Sequence, residues 1–179
     1  MTLTRNVRNV RNVALIAVLL SVASPIRAQQ PASNPLDVVP EKVPFDIPYG
    51  GPILLEDAQA AITAAVAEAK KRDWKMSIAV LDSGGNLVAF QRMDQAPIGA
   101  VLIAEQKART SVLLRRESKV FESFVQNGAT YLVTLPGVVA SRGGIPLIVQ
   151  GKVVGAIGCA GGTGSQDEVV CKAGAAIVK

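Results

Sequence analysis

The chain has 179 residues, of which 49% are hydrophobic and only 4% aromatic. It can therefore form one hydrophobic core but is too short for two domains of typical size. Its formal net charge is +5, yet four of its 19 basic residues lie in the first 28 positions, where there are no acidic residues. The remaining 15 basic and 14 acidic residues leave a net charge of +1, which argues against a nucleic-acid partner. Histidine is absent, which excludes imidazole as a metal ligand, general base or haem ligand.

Residues 1–28 have the pattern of a secretory signal segment. Three arginines precede an apolar run from Val13 to Ala23, and the small residue Ala28 ends the segment. The apolar run is short for a membrane span, which needs about 20 residues. The sequence therefore predicts cleavage after Ala28 and a periplasmic or secreted mature protein without a stable membrane span; an uncleaved anchor is the alternative.

Residues 29–52 contain six of the ten prolines, spaced so that neither a helix nor a sheet ladder can run through them. Such a segment is a linker, or an arm that packs on a neighbouring subunit. Phe45, Ile47 and Tyr49 would give an arm side chains to bury.

The first elements of the following domain, residues 53–179, are a helix and a hairpin. Apolar residues recur every three or four positions from Leu55, which predicts a helix ending near Arg72. Two apolar runs, Met76 to Leu81 and Leu87 to Gln91, are joined by a loop with two glycines, which predicts an antiparallel hairpin.

Two more helices, a second hairpin and a last helix complete the prediction. Pro97 suits the first turn of a helix that runs to about Arg116. A short helix starts at Ser118, strands follow at 145–149 and 152–159, and a capping box from Ser165 to Glu168 starts the final helix. The expected fold is an α/β/α sandwich with a central antiparallel sheet, of the profilin-like kind.

The two cysteines, Cys159 and Cys171, would meet an oxidising compartment after export. They could form a disulfide. They could equally be two separate small apolar residues, one at a strand end and one in the last helix. The residues alone leave both alternatives open.

Three stretches carry a resemblance to a known family: VLDSGGNLVAFQRMDQA (80–96), AEQKARTS (104–111) and GGIPLIVQGKVVGAIGCAGGTGSQDE (143–168). In this order and at these separations they resemble the GlcG/HbpS family of haem-binding-like proteins. The resemblance covers the whole domain. It implies an α/β/α sandwich, assembly into tetramers or octamers and, for some members, binding of haem or a corrinoid.

This chain departs from that family at several positions. Members that hold haem through histidine are not models for it. Ser118 stands where relatives often carry threonine, and the segment 159–162 reads Cys-Ala-Gly-Gly where relatives often carry Val-Ser-Gly-Gly. Pocket contacts that depend on those hydroxyl groups are therefore not expected to transfer.

Arg92, Met93 and Asp94 are the first candidate ligand-binding residues, because they follow the second strand and would meet the start of the second helix. Arg92 could clamp a carboxylate, as in a haem propionate or a small hydroxy acid, or pair with an acid at the strand end. Met93 could offer sulfur to iron or fill the core.

Lys107 and Thr110 form the second group, together with Ser118 and the glycines Gly161 and Gly162. A lysine beside a hydroxyl group could bind an anion or, if desolvated, act as a base; the alternative is a solvated helix lysine. The loop 161–164 points at a helix N-terminus that could attract an anion, or it is simply a tight turn, as we expect for residues 143–144.

The sequence favours an exported, homo-oligomeric small-molecule-binding protein whose leading ligand is haem or a related tetrapyrrole. Apolar contacts and cationic groups on the propionates would hold the ligand, since strong axial ligands are scarce. One alternative is an enzyme that uses Lys107 or Arg92 on a small carboxylate or aldehyde. The other is an accessory subunit of a periplasmic complex.

Overall fold

The computed structural model describes residue 39, residues 41–42 and residues 46–179. The predicted signal segment, Phe45 and most of the proline-rich segment lie outside the described residues. The elements are α1 (Leu55–Lys71), β1 (Ser77–Asp82), β2 (Leu87–Arg92), α2 (Ala100–Leu114), α3 (Lys119–Gln126), β3 (Gly144–Val149), β4 (Lys152–Ala160) and α4 (Gly164–Ala175). A 3₁₀ helix at Thr130–Thr134, which the sequence did not predict, lies between α3 and β3.

The four strands form one sheet in the order β2-β1-β4-β3, and every neighbouring pair is antiparallel. Side chains of β1 alternate between two apolar layers. Ile78 and Val80 belong to the layer shared with α1 and α4, whereas Ala79 and Leu81 belong to the layer shared with α2. The sheet therefore lies between helices on both faces, and the predicted α/β/α sandwich is confirmed.

Helix α2 lies unusually close to the sheet because small residues face each other across that layer. Ala104 and Ala108 are fully buried against β4. A Cβ atom on Gly158 would overlap the carbonyl oxygen of Ala104. Lys107 belongs to the same turn of α2, and its backbone lies close to Gly144 at the start of β3.

The described end of the proline-rich segment packs on its own domain. The Gly50 amide donates to the Val153 carbonyl at 2.8 Å, and the Val153 amide donates to the Pro48 carbonyl at 2.9 Å. The Tyr49 hydroxyl donates to the Leu113 carbonyl at 2.9 Å. Residues 48–50 are thus hydrogen-bonded to the start of β4.

Two boundaries differ from the prediction. Helix α2 begins at Ala100 because Pro97 lies in a preceding turn, and it ends before Arg115, whose φ of 54° is left-handed. The capping box of α4 uses Thr163 and Gln166 rather than Ser165 and Glu168. The Thr163 hydroxyl accepts from the Gln166 amide, and the Gln166 side chain accepts from the Thr163 amide.

Cys159 and Cys171 form a disulfide, which decides between the two alternatives that the sequence left open. Both cysteines are fully buried in the layer between the sheet and α4. Among the described residues there is no helix long and apolar enough to cross a membrane.

Candidate functional site

A cleft of about 330 Å³ lies where the start of α2 meets the turn from β4 to α4. Its lining comes from α2, the loop before it, the segment before β3 and the β4–α4 turn: Pro97, Gly99, Ala100, Ile103, Lys107, Ser141, Ala160, Gly161, Gly162, Gly164 and Asp167. Three of the predicted site residues, Lys107, Gly161 and Gly162, are therefore brought together here. We call this site the α2–α4 cleft.

A buried ion pair forms the floor of the α2–α4 cleft. The Lys107 ammonium donates to Asp167 Oδ2 at 2.7 Å, and each side chain is only 3% exposed. Asp167 Oδ1 accepts from the Gly162 amide at 3.0 Å. Burying either charge alone would be costly, so each residue requires the other.

The β4–α4 turn holds Asp167 in place. Asp167 lies in the first turn of α4, where the helix dipole favours a carboxylate, and its amide donates to the Thr163 carbonyl. The disulfide between Cys159 and Cys171 joins the two ends of the segment that contains the turn. The wall of the cleft is thus fixed at its strand end and its helix end.

Glycines bring the backbone close to this ion pair. A Cβ atom on Gly144 would overlap the Lys107 carbonyl oxygen. One on Gly143, whose φ is 108°, would lie 2.9 Å from Asp167 Cβ and 3.4 Å from Lys107 Nζ. Gly144 begins β3, so these glycines permit close packing against the ion pair in addition to the turn that the sequence predicted.

The mouth of the cleft is apolar. Ala100, Ile103 and Lys107 follow one another at steps of three and four residues, so they share one face of α2. Ile103 lines the cleft yet is 45% exposed, and Ile98, directly after Pro97, is 80% exposed. A ligand with a polar end and an apolar body would match a charged floor below an apolar rim.

An ion-pair network fixes the segment that carries Ser141. Arg142 donates to Glu122 through both its amide and its side chain. The hydrogen bond from the Arg142 guanidinium is the main reason that the pKa of Glu122 lies below its ordinary value. Burial raises the pKa of Glu168, but hydrogen bonds from Lys172 and Lys119 outweigh it, so that this pKa is lowered as well.

Arg92, Met93 and Asp94 lie in a different place. They line a groove of about 350 Å³ between α1 and β2, together with Val66, Lys70, Lys75, Gln91 and Gln95. This α1–β2 groove shares no lining residue with the α2–α4 cleft. The Arg92 guanidinium donates to the Ala96 carbonyl at 2.9 Å, and Met93 packs against the core between the sheet and α1.

Thr110 and Ser118 are buried but do not line the cleft. The Thr110 hydroxyl donates to the Gly137 carbonyl and accepts from the Val139 amide, which secures the loop after the 3₁₀ helix. The Ser118 hydroxyl donates to the Ser141 carbonyl and accepts from the Gly144 amide. Each hydroxyl is thus occupied by backbone groups.

The residue that sequence reasoning missed is Asp167. The sequence pattern places it inside the predicted capping box from Ser165 to Glu168. An acidic residue in a first helical turn after a glycine-rich loop is also a signal for a polar site. Its partner Lys107 is 60 residues away in the chain, and no local pattern links the two.

Within the described residues, no group of three or more Cys, Asp or Glu side chains could hold a metal ion. The α2–α4 cleft instead offers one ammonium group, one carboxylate and the N-terminal end of a helix beside apolar side chains. This arrangement suits binding of an organic anion more than metal chemistry.

Comparison with protein families gives one match, to the family described as "Haem degrading protein HbpS-like", over residues 53–176. Protein GlcG of Escherichia coli strain K12 is 47% identical over 101 residues, which is 56% of this chain and 75% of GlcG.

Two solved structures illustrate the likeness of the fold. A double mutant of HbpS from Streptomyces reticuli superposes with a TM-score of 0.68 at 30% identity, covering 79% of this chain and 98% of that one. A structure described as a PduOC:heme complex superposes with a TM-score of 0.64 at 23% identity, covering 70% and 94%. At that identity the second likeness concerns the fold alone.

Proposed function

The chain belongs to the HbpS-like family, and from this premise we propose that it binds haem or a related tetrapyrrole at the mouth of the α2–α4 cleft. The observation that carries the proposal is an apolar rim beside a buried ion pair. Ile103 and Pro97 line the cleft, and Ile98 is exposed next to them. A porphyrin has flat apolar faces, which such a rim would cover, and carboxylates at one edge only.

The cleft is small for this ligand, so most of the ring would lie outside it. Ligand pockets typically measure about 300–1,000 Å³, and the α2–α4 cleft is at the lower end of that range. In this proposal the ring lies on the rim and only one edge enters the cleft.

The lining residues fit the porphyrin ring better than they fit the iron. Histidine is absent from the chain, and neither Met, Tyr nor Cys is among the lining residues of the cleft. These are the usual axial ligands of haem iron. Binding is therefore proposed to depend on the ring and its substituents, with affinity in the micromolar range or weaker.

The test is an absorbance titration of the purified protein with haemin and, by fluorescence, with metal-free protoporphyrin IX. We expect both porphyrins to bind saturably and within about threefold of each other. An Ile103→Asp variant should bind at least tenfold more weakly, because a charge would replace an apolar contact.

A matched control is Ile148→Asp, which introduces the same charge at an exposed position of β3 outside the cleft. It should leave the affinity unchanged. Equal weakening in both variants, or a Soret change no larger than that of a non-binding protein, would reject the proposal.

Export is part of the same proposal. The disulfide between Cys159 and Cys171 supports it, because disulfides persist mainly in oxidising compartments. N-terminal sequencing of protein from the periplasmic fraction should read from Gln29. A full-length chain recovered only from the cytoplasm would contradict export.

Self-association is likewise proposed, following the family resemblance. Exposed apolar side chains on the described surface, among them Leu102 and Val133, would be covered in an oligomer. Light scattering coupled to gel filtration measures the mass directly, and a monomeric mass across the micromolar range would argue against assembly.

A further inference from the structure

We propose that the floor of the α2–α4 cleft is a carboxylate-binding site, in which Lys107 binds a ligand carboxylate and Asp167 acts as its positioning residue. The inference rests on the proposed function in one respect only: the carboxylate would be a propionate group of the porphyrin. The ion pair and its surroundings support the site independently of the porphyrin.

The first observation is that the hydrogen-bond donors of the Lys107 ammonium are not all satisfied by the described residues. An ammonium group has three N–H donors. Among the described residues, its one hydrogen-bond acceptor is Asp167 Oδ2, at 2.7 Å. The side chain is 3% exposed, so the remaining donors have little access to bulk water. A buried ammonium with donors to spare favours an additional acceptor.

The second observation is that the ammonium-bearing residue and its partner both belong to the lining of the cleft. Lys107 lines the cleft, and the neighbouring positions 161, 162 and 164 are glycines, which present no side chain. A Cβ atom on Gly143 would already come within 3.4 Å of Lys107 Nζ. The lining around Lys107 therefore consists largely of backbone on this side of the cleft.

The third observation concerns charge. Asp167 neutralises Lys107, so a second carboxylate needs more positive potential than the lysine alone supplies. The N-terminal end of α4, a helix of 12 residues, lies at Gly164 on the cleft wall and supplies part of it. Asp167 Oδ1 is held by the Gly162 amide, so Asp167 can keep Lys107 in place while the ligand shares the ammonium.

The volume of the cleft limits the size of the group that can enter it. A short carboxylate arm fits into about 330 Å³ with its apolar continuation against Ile103. The expected ligands are monocarboxylates of propionate length and larger molecules that carry such an arm.

The experiment compares protoporphyrin IX with its dimethyl ester, which keeps the ring and lacks both carboxylates. The wild-type protein should bind the diacid at least tenfold more tightly than the ester. In Asp167→Asn the negative charge is removed, and the preference for the diacid should increase. An unchanged preference in this variant would contradict a carboxylate bound to Lys107 beside Asp167.

A double variant, Lys107→Met with Asp167→Leu, removes both charges together and so avoids an unpaired buried charge. It should bind diacid and ester equally, at the affinity of the ester. If the wild-type protein does not distinguish diacid from ester, or if the preference survives in the double variant, the carboxylate site is wrong.

A second probe separates this inference from the proposed function. Propionate and propionamide are titrated into ¹⁵N-labelled protein, and the amide signals of Gly161 and Gly162 are followed. Saturable shifts with propionate only, without porphyrin binding, would support the carboxylate site and reject the proposed function. Porphyrin binding without any response to propionate, and with equal affinity for diacid and ester, would do the reverse.

Discussion

The α2–α4 cleft and the α1–β2 groove each contain basic residues that the sequence nominated, yet they differ in how those residues are surrounded. Lys107 is buried and paired with Asp167, and a disulfide joins the ends of the wall opposite. Arg92 is exposed and donates to a loop carbonyl. The two basic residues are therefore distinguished by their surroundings, since burial and a fixed carboxylate partner set Lys107 apart from the exposed Arg92.

The largest expected effect is on stability, when Lys107 is replaced. Lys107→Ala would leave the Asp167 carboxylate buried without its partner and should lower the free energy of unfolding by about 3–5 kcal/mol. Urea unfolding of the purified variants measures this. The double variant Lys107→Met with Asp167→Leu should recover most of the loss, and a single variant as stable as the wild type would show that the pair is not buried in solution.

The second largest effect on stability is expected when the disulfide is removed. Replacing Cys159 and Cys171 by alanine should lower the free energy of unfolding by about 2–4 kcal/mol, chiefly because the unfolded chain is no longer cross-linked. It should also increase amide hydrogen exchange in the segment 161–167, which contributes Gly161, Gly162, Gly164 and Asp167 to the lining of the cleft. Chemically reduced wild-type protein is the control for the packing that the alanine variant loses, since the reduced protein retains both sulfur atoms. Unchanged hydrogen exchange in both samples would mean that the disulfide does not hold the cleft wall.

A smaller effect is expected from the Glu122 and Glu168 carboxylates. Their folded-state pKa values lie below the ordinary value, so their stabilisation is complete above it and is lost as the pH falls through the folded-state values. The free energy of unfolding should therefore decline below about pH 5. In Glu122→Gln this decline should be shallower, which urea unfolding at a series of pH values would measure. An identical decline in the variant would show that Glu122 does not contribute to the pH dependence of stability.

The smallest effect is expected in the α1–β2 groove. Arg92→Ala removes an exposed side chain that donates to the Ala96 carbonyl, and it should change the free energy of unfolding by no more than about 0.5 kcal/mol. Porphyrin affinity should stay within twofold of the wild-type value in the same titration. A tenfold loss of affinity would indicate that the porphyrin binds in the α1–β2 groove and not in the α2–α4 cleft.

The order of the elements was predictable because each element has its own local pattern. The recurring apolar positions from Leu55 bury one face of α1. The glycine loop permits the turn that joins the two strands of the first hairpin. The start of α4 was not predictable, because Thr163 with Gln166 and Ser165 with Glu168 both match a capping box.

The structure selects the first capping box because β4 ends at Ala160 and Glu168 is bound by Lys119 and Lys172. The pairing of Lys107 with Asp167 also could not be predicted, since it depends on how closely α2 packs on the sheet. Long-range contacts of this kind decide which of the nominated residues share a site.

A crystal structure of the protein soaked with protoporphyrin IX would show directly where a porphyrin binds. We expect a ring on the apolar rim beside Pro97 and Ile103, with one carboxylate within hydrogen-bonding distance of Lys107 Nζ. A porphyrin bound in the α1–β2 groove beside Arg92, with the α2–α4 cleft unchanged, would contradict this expectation.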